Sequence, residues 1–580
     1  MRMIVPSALL LVGLAGAHGE GAASTQPARQ LDQSTLGLMA LDKDSESDTA
    51  AEAYLGDGPG DLVRVKTTAF AGFPLALADG TVMMWSTAKR GDKQVARAVF
   101  SRNNGLAWSD AVDWFEFPNR EKAQWTGGAS LVDNKGYIHL FGLEYYQFDF
   151  KDRSKAKSPL WHARSRDGGK TWDPVHDVPF GFGYTGSSNN AFQSRTGRIF
   201  APLSALSNRR TGVWVSLCPY SDDNGATWKM PSGEVAINTG AADWYESGAA
   251  EPVGIQLTDG RIWLLPRSQD GFQWESFSSD DGMTWTPARH SRFVSNQSAM
   301  AVLRLKDGRL LLLWNNCGAE GLPPIHWGNA ERAVLAAAIS DDEGKTWRGY
   351  REVARVTTNA QVSYPYVTQM PNGRLIVNAA GVIATFHPEL LSRTEFSETF
   401  DRGSRRWSTL ASEGVSAVGD PDGGAGKVLK MVKPKADVTS AACLNFPFGR
   451  SGTITIALRN EHGFQGAHLT LSDHYDLPGL SRDACFPIQI NPKGRIFLNG
   501  SGGSWLATPG DLTPAKWHEL KLTWDCPNHE ALLELDGVEI GRLHQYVCTD
   551  GICYLRIRST AATIDKAGMY VKSVKVTVSP

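Results

Sequence analysis

No charge of either sign dominates this 580-residue chain: 59 Lys and Arg stand against 61 Asp and Glu. That balance excludes the basic footprint of a nucleic-acid-binding protein. Cysteine is scarce, at seven residues, and split two and five: Cys218 and Cys317, then Cys443, Cys485, Cys526, Cys548 and Cys553. No spacing among them matches a metal-ligand pattern, so neither a metal nor a cofactor is expected. After the N-terminus there is no apolar run long enough to cross a bilayer. The N-terminus itself, MRMIVPSALLLVGLAGA, combines an early Arg2 with an apolar stretch and small residues at Ala15 and Ala17. Residues 1–17 read as a secretory signal peptide, and no lipid-attachment cysteine follows them, so a secreted or periplasmic protein without a membrane anchor is expected. Export would permit disulfides, and the C-terminal five cysteines are the expected place for them.

Residues 18–61 are rich in Ala, Gly, Ser, Asp and Gln, show no strand periodicity, and read as a flexible leader. A repeat follows. SRDGGKTW, SDDNGATW, SSDDGMTW and SDDEGKTW end at Trp172, Trp228, Trp285 and Trp347, and a degenerate copy, SRNNGLAW, ends at Trp108. The tryptophans lie 64, 56, 57 and 62 residues apart (172−108, 228−172, 285−228, 347−285). A fixed period of this length marks one supersecondary module copied along the chain. Within the phrase, the acid can hydrogen-bond its own backbone and the glycine accepts positive φ, as a tight turn requires. The tryptophan is expected to plug into the side of its own module.

A second repeat runs alongside, an apolar strand, a turn and another strand, with turn glycines at Gly80, Gly136, Gly197, Gly260, Gly308 and Gly373. Six such hairpins predict a six-bladed β-propeller over residues 62–394, the sixth blade closed by an N-terminal strand around Leu62–Phe70. From about Glu395 the phrase stops and alternating segments such as GTITIALR, WHELKLTW and ALLELDGVEIGRL take over. They predict a β-sandwich over 395–580. The fold class is therefore all-β, a propeller followed by a sandwich. The Trp-His strand and LELDG hairpin of the second part resemble laminin-G or concanavalin-like jelly-roll domains, which implies a carbohydrate-binding module or a packing domain.

The Trp phrase together with the six hairpins resembles the sialidase (neuraminidase) superfamily, in which the phrase is known as the Asp-box. Two later segments tighten the resemblance. EPVGIQLTDGRIWLLPR, Glu251 to Arg267, is similar to the family segment in which a glutamate opens one strand and an arginine ends the next. The resemblance implies that Glu251 polarises the nucleophile and that Arg267 is one of three arginines holding the substrate carboxylate. SYPYVTQMPNG is similar to the segment where a tyrosine begins the innermost strand of the last blade, nine residues before the turn glycine. Counting back from Gly373 implies Tyr364 as nucleophile, with Tyr366 as the alternative. Arg332, one strand ahead of the last Asp-box, sits where another carboxylate-binding arginine is often found.

The first blade departs from the pattern. The family's first arginine is replaced in AGFPLALADG by Gly72, leaving Arg64 or Arg90 as substitutes that no motif singles out. The family's acid aspartate belongs in a loop after this strand, where Asp92 is the candidate. These residue types suit one chemistry. A sialic acid carries a carboxylate on its anomeric carbon, so a neutral tyrosine activated by a glutamate can approach where a carboxylate nucleophile would be repelled. Arginines match the substrate carboxylate with forked donors. The implied activity is a retaining exo-sialidase acting on sialylated or other acidic glycans. The alternatives are a non-catalytic glycan-binding propeller with a lectin-like module, and a glycosidase for a different acidic sugar.

Overall fold

The computed structural model describes residues 51–52, 62–64, 72–119, 123–145, 158–178, 187–206, 213–237, 247–318, 332–356, 361–476, 484–500 and 504–579. The expected signal peptide and most of the leader lie outside them. The described chain is all-β, with a short 3-10 turn at Pro388–Ser392 where its two parts meet.

The first part is a succession of antiparallel meanders. The first is Phe73–Ala76, Val82–Arg90, Lys93–Ser101 and Val112–Glu116, and the fourth is Ala250–Gln256, Ile262–Arg267, Phe272–Ser278 and Arg289–Val294. Each pairs in simple order, because alternating strands joined by short glycine turns need no crossover. The third module is split into two small sheets, one around Phe192–Phe200 and one around Leu203–Leu217. The opening strands of successive modules touch one another. The last, Pro365–Gln369, returns to the first, Phe73–Ala76, where Ala76 N–H donates to Thr368 Oγ1 at 3.2 Å. The meanders thus close as a propeller does. Leu62–Arg64 pairs antiparallel with Val382–Phe386 and completes the sixth module. The leader expected over 18–61 is corrected at one place: Ala51–Glu52 pairs with Val356 and Arg355 as an edge strand of the fifth module.

The box turns repeat atom for atom. In SRDGGKTW, Gly169 N–H donates to Ser165 Oγ at 2.8 Å, Ser165 Oγ donates to Asp167 at 2.9 Å, and Asp167 accepts from both the Thr171 N–H and its hydroxyl. Ser221, Ser278 and Ser340 open the same network. The Thr171 hydroxyl, first among these donors, holds the Asp167 carboxyl down at about 2. Two consecutive residues take positive φ in each turn, such as Asn224 at 54° and Gly225 at 79°.

The tryptophans correct an expectation, because they pack against the preceding module and not against their own alone. Trp172 meets Trp114 at 4.8 Å and Phe115 at 5.3 Å, in the first module. Trp228 meets Phe141 and His162 of the second, and Trp347 meets Trp263 and Phe293 of the fourth. Trp108 joins Met370, Ile376 and Ile383 of the sixth, across the ring closure. The indole is long enough to cross the gap between sheets that splay apart toward the rim.

Between the second and third modules lies a row of imidazoles. His139 Nε2 is 3.3 Å from Asp133, His139 Nδ1 is 3.0 Å from His162 Nε2, and His162 Nδ1 is 3.3 Å from His176 Nε2. The neighbouring box turn sits directly on them: a Cβ on Gly225 would come within 2.8 Å of His162 and 2.9 Å of His139. Glycine is required there for its φ and for the approach.

The second part is a two-sheet sandwich. One sheet runs through Val415–Gly419, Lys427–Lys433, Asp565–Ser579, Ser451–Asn460, His518–Asp525, Glu530–Leu535 and Val538–His544. The other includes Ala441–Gly449, Ile552–Ser559, Ala467–Ser472 and Phe486–Ile490, and an apolar core fills the space between. The sandwich shares a core with the propeller. Tyr350 stacks on Phe448 at 4.2 Å, and Asn445 accepts from Glu352 N–H while donating to the Tyr350 carbonyl. No disulfide joins any of the seven cysteines, contrary to expectation. Six of them are buried, and they pack as small apolar groups, as where Cys553 Sγ faces the Asp473 carbonyl at 3.1 Å.

Candidate active site

Glu251 opens the innermost strand of the fourth module and Arg267 ends the next strand. The hairpin between them is not regular, because its register slips between Ala250 and Val253. Glu251 sits in that bulge at φ +42°. The kink re-aims its side chain at Arg267, whose Nη1 lies 2.5 Å from Glu251 Oε2, both side chains being about 95% buried (5% and 4% exposed). Tyr364, just before the innermost strand of the sixth module, also takes a left-handed backbone, φ +55°. Its hydroxyl donates to Glu251 Oε1 at 3.3 Å and accepts from Arg267 Nη1 at 2.6 Å. Each left-handed non-glycine residue costs roughly 1–3 kcal/mol, and such strain persists where the surroundings over-determine it, most often at functional sites.

Arg332 completes the cluster. Its guanidinium carbon stands 5.2 Å from the centroid of the Tyr364 ring, and it donates to Gln361 Oε1 at 3.0 Å and the Gln297 carbonyl at 2.5 Å. Both acceptors are neutral. One carboxylate and two guanidiniums leave the site with net positive charge, which suits an anionic substrate. Arg267 is engaged by Glu251 and Tyr364, so Arg332 is the better placed of the two to meet a substrate carboxylate.

The other sequence candidates lie elsewhere or play other parts. Tyr366 is turned to other partners: its hydroxyl donates to the Ser188 carbonyl at 3.2 Å and its ring meets Phe73 edge-on at 4.5 Å. Desolvation, then the charge of Glu251, pushes its phenol above the usual range. Arg64 is corrected. It belongs to the outermost strand of the sixth module, three strands from the one that Tyr364 leads into, or about 14 Å at ordinary strand spacing. Arg90, at the exposed end of Val82–Arg90, pairs with Asp113 at 3.4 Å. Asp92 occupies the exposed turn between the second and third strands of the first module, and no described contact joins it to Tyr364 or Glu251. At the position of the missing arginine, the Gly72 carbonyl accepts from Asn378 at 2.6 Å.

Several positioning residues escaped the sequence reading. Glu251 N–H donates to Ser204 Oγ at 3.2 Å, and Asn189 donates to the Glu251 carbonyl at 3.3 Å. Gln361 and Gln297 hold Arg332. No phrase marks them, since they come from three different modules, the third, fifth and sixth. The one available signal was the polar pair Gln361 and Ser363 directly before Tyr364. Among the described residues, no group of three His, Cys, Asp or Glu side chains could hold a metal ion.

Residues 82–377 match the BNR repeat-like domain family. A sialidase from Micromonospora viridifaciens is 24% identical over 231 residues, which is 36% of this chain and 32% of that protein. The chain thus spans about a third of the length of this curated relative. Among solved structures, Trypanosoma rangeli sialidase is 13% identical, with 87% of this chain and 91% of that chain covered and a TM-score of 0.41. A Dyadobacter fermentans protein of unknown function is 17% identical, with 58% and 98% covered and a TM-score of 0.43. With the family match running over 296 of 580 residues (377−82+1), and with the box turns and the Glu251, Arg267 and Tyr364 cluster in place, the chain belongs to the BNR repeat-like family of the sialidase superfamily.

Proposed function

We propose that this protein is an exported retaining exo-glycosidase that removes a terminal sialic acid, or a related acidic sugar, from glycans. The observation that carries the reading is the Tyr364 hydroxyl, which donates to Glu251 at 3.3 Å while accepting from Arg267 at 2.6 Å. A phenol so placed can lose its proton to Glu251 as its oxygen bonds to the anomeric carbon, and Arg267 stabilises the negative charge developing on that oxygen. The glycosidic oxygen leaves with a proton from a carboxylic acid, for which Asp92 is the candidate. Water then attacks the anomeric carbon of the tyrosyl-linked sugar and gives its proton back to that carboxylate, while the Tyr364 oxygen recovers its own from Glu251. Arg332 holds the substrate carboxylate.

One observation favours a narrower alternative, a glycosidase for a different acidic sugar: Gly72 leaves the first-module arginine position empty. The test is release of a fluorogenic alcohol from an aryl sialoside and from an aryl hexuronide. Tyr364→Phe is expected to lower kcat by a factor of at least about 10³ with little change in KM, since it removes a group that acts on the reacting carbon. Unchanged turnover in the variant would remove Tyr364 as nucleophile. Turnover of the hexuronide alone would select the alternative sugar.

A further inference from the structure

Arg332 and Tyr364 come from different modules, yet one buried amide ties their backbones together. Asn315 follows the second strand of the fifth module, Leu310–Trp314, and is fully buried. Its Nδ2 donates to two backbone carbonyls at 2.7 Å each, those of Val334 and Val362. Val334 lies two residues after Arg332, and Val362 two residues before Tyr364. The same two stretches also meet directly, since Val362 N–H donates to the Arg332 carbonyl at 2.9 Å. A side-chain amide nitrogen carries both its N–H groups in one plane, so using the two together fixes the two carbonyls at one separation.

The strip that carries Asn315 is in turn held by the sandwich. Asn316 Nδ2 donates to the Asp473 carbonyl at 2.9 Å. Tyr475 N–H donates to the Asn316 carbonyl at 2.9 Å, and Gly318 N–H donates to the Tyr475 carbonyl at 2.9 Å, a short parallel bridge of Cys317 against Tyr475. The sandwich segment is anchored on its own side as well. The Tyr475 hydroxyl is 2.9 Å from Ser408 Oγ, and Arg556 Nη1 donates to Asp476 at 3.1 Å. The joint is close-packed: a Cβ on Gly318 would come within 2.6 Å of Asp476 Oδ1 and 2.7 Å of His474 Nε2. Hydrogen bonds therefore lead from the sandwich, through Asn316 and Asn315, to the backbone beside Arg332 and Tyr364.

We propose that Asn315 is a positioning residue that sets the spacing between the carboxylate anchor Arg332 and the nucleophile Tyr364, and that the Asp473–Asp476 segment makes the sandwich part of that scaffold. The inference rests on Arg332 and Tyr364 acting in those two roles. In the substrate, the carboxylate and the reacting carbon lie a fixed distance apart, so anchor and nucleophile must match it. A misplacement of about 1 Å costs on the order of 10²-fold in rate.

Two measurements on the full chain test this. In protein labelled with carbon-13 at the tyrosine Cζ, the Tyr364 resonance is assigned by its loss in Tyr364→Phe. It is expected to shift in Asn315→Leu and, by less, in Asn316→Ala. Ile496→Val, in the sandwich core, is expected to lower the melting temperature and leave that resonance in place. On whichever aryl glycoside is turned over, Asn315→Leu is expected to lower kcat/KM about tenfold to a hundredfold, with part of the loss in kcat. Added to Arg332→Gln it should cost only about threefold or less, because the spacing ceases to matter once the anchor is gone. Should Asn315→Leu fail to fold, Asn316→Ala carries both measurements, with the same directions expected. Three results overturn the proposal: an unmoved Tyr364 resonance in the folded variant, an equal shift in Ile496→Val, or losses from the amide and Arg332 variants that simply multiply. Absence of turnover in the wild type would remove the glycosidase reading while the resonance still reports on the spacing, so the two fail separately.

Discussion

At the scale of single residues, the site is built from groups that are costly alone and stable together. Glu251 and Arg267 are buried against each other. Arg267→Leu would leave Glu251 buried without its counter-charge, and removing one partner of such a pair costs about 3–5 kcal/mol. The expected result is a lower urea midpoint with unchanged m-value, partly rescued by Arg267→Lys. The imidazole row makes a different prediction. If His139 Nε2–H donates to Asp133, then His139 Nδ1 must accept from His162 and His162 Nδ1 from His176, so a further proton on either buried ring sets N–H against N–H. Burial first, then the neighbouring charges, Arg164 among them, lowers both His139 and His162, although Asp133 and Asp173 act the other way on His139. A histidine lowered in the folded state binds its proton more readily when unfolded. Stability is therefore full above about pH 6.5 and falls as pH drops below it, by up to about 1.4 kcal/mol per pH unit for each ring. A calorimetric melting temperature that declines from pH 6.5 to 5, with a shallower decline in His162→Phe, is the expected outcome.

At the scale of elements, the box is a joint between modules. The serine, acid, glycine and threonine close the turn upon itself, and the tryptophan then reaches back to the sheet before it. Trp347 is 3% exposed, between Trp263 and Phe293. Trp347→Ala is expected to cost about 3–5 kcal/mol. Amide exchange should quicken in strands Ile262–Arg267 and Arg289–Val294 of the fourth module as well as in the fifth, whereas a tryptophan serving only its own module would loosen the fifth alone. The opening strands carry the candidate site for a related reason. Their starts converge around the ring axis, so a bulge at Glu251 and a left-handed residue at Tyr364, far apart in sequence, aim at one point.

At the scale of the whole molecule, propeller and sandwich are fused through hydrogen bonds and a shared core. Asn445 satisfies the Glu352 N–H and the Tyr350 and Cys553 carbonyls in the buried contact. Asn445→Leu would orphan these backbone groups, each at about 1–3 kcal/mol. Scanning calorimetry of this variant is expected to resolve two transitions where the wild type shows one. An unchanged single transition would mean that coupling rests on the Tyr350 and Phe448 stacking instead.

Local chemistry was legible in the chain before any coordinates. The turns need glycine and a self-bonding acid, strands alternate with period two, and the segments around Glu251, Arg267 and Tyr364 are short enough to be recognised intact, so the all-β fold and the centre of the site could be read directly. Where side chains meet across modules could not. The destination of each tryptophan, the clustering of Arg332 with Tyr364, the placement of Arg64 on an outer strand, the support from Ser204 and Asn189, and the seven unlinked cysteines all depend on pairings between residues tens to hundreds of positions apart. Those distances are set by closure of the ring and by the docking of the sandwich upon it, and no local pattern encodes them.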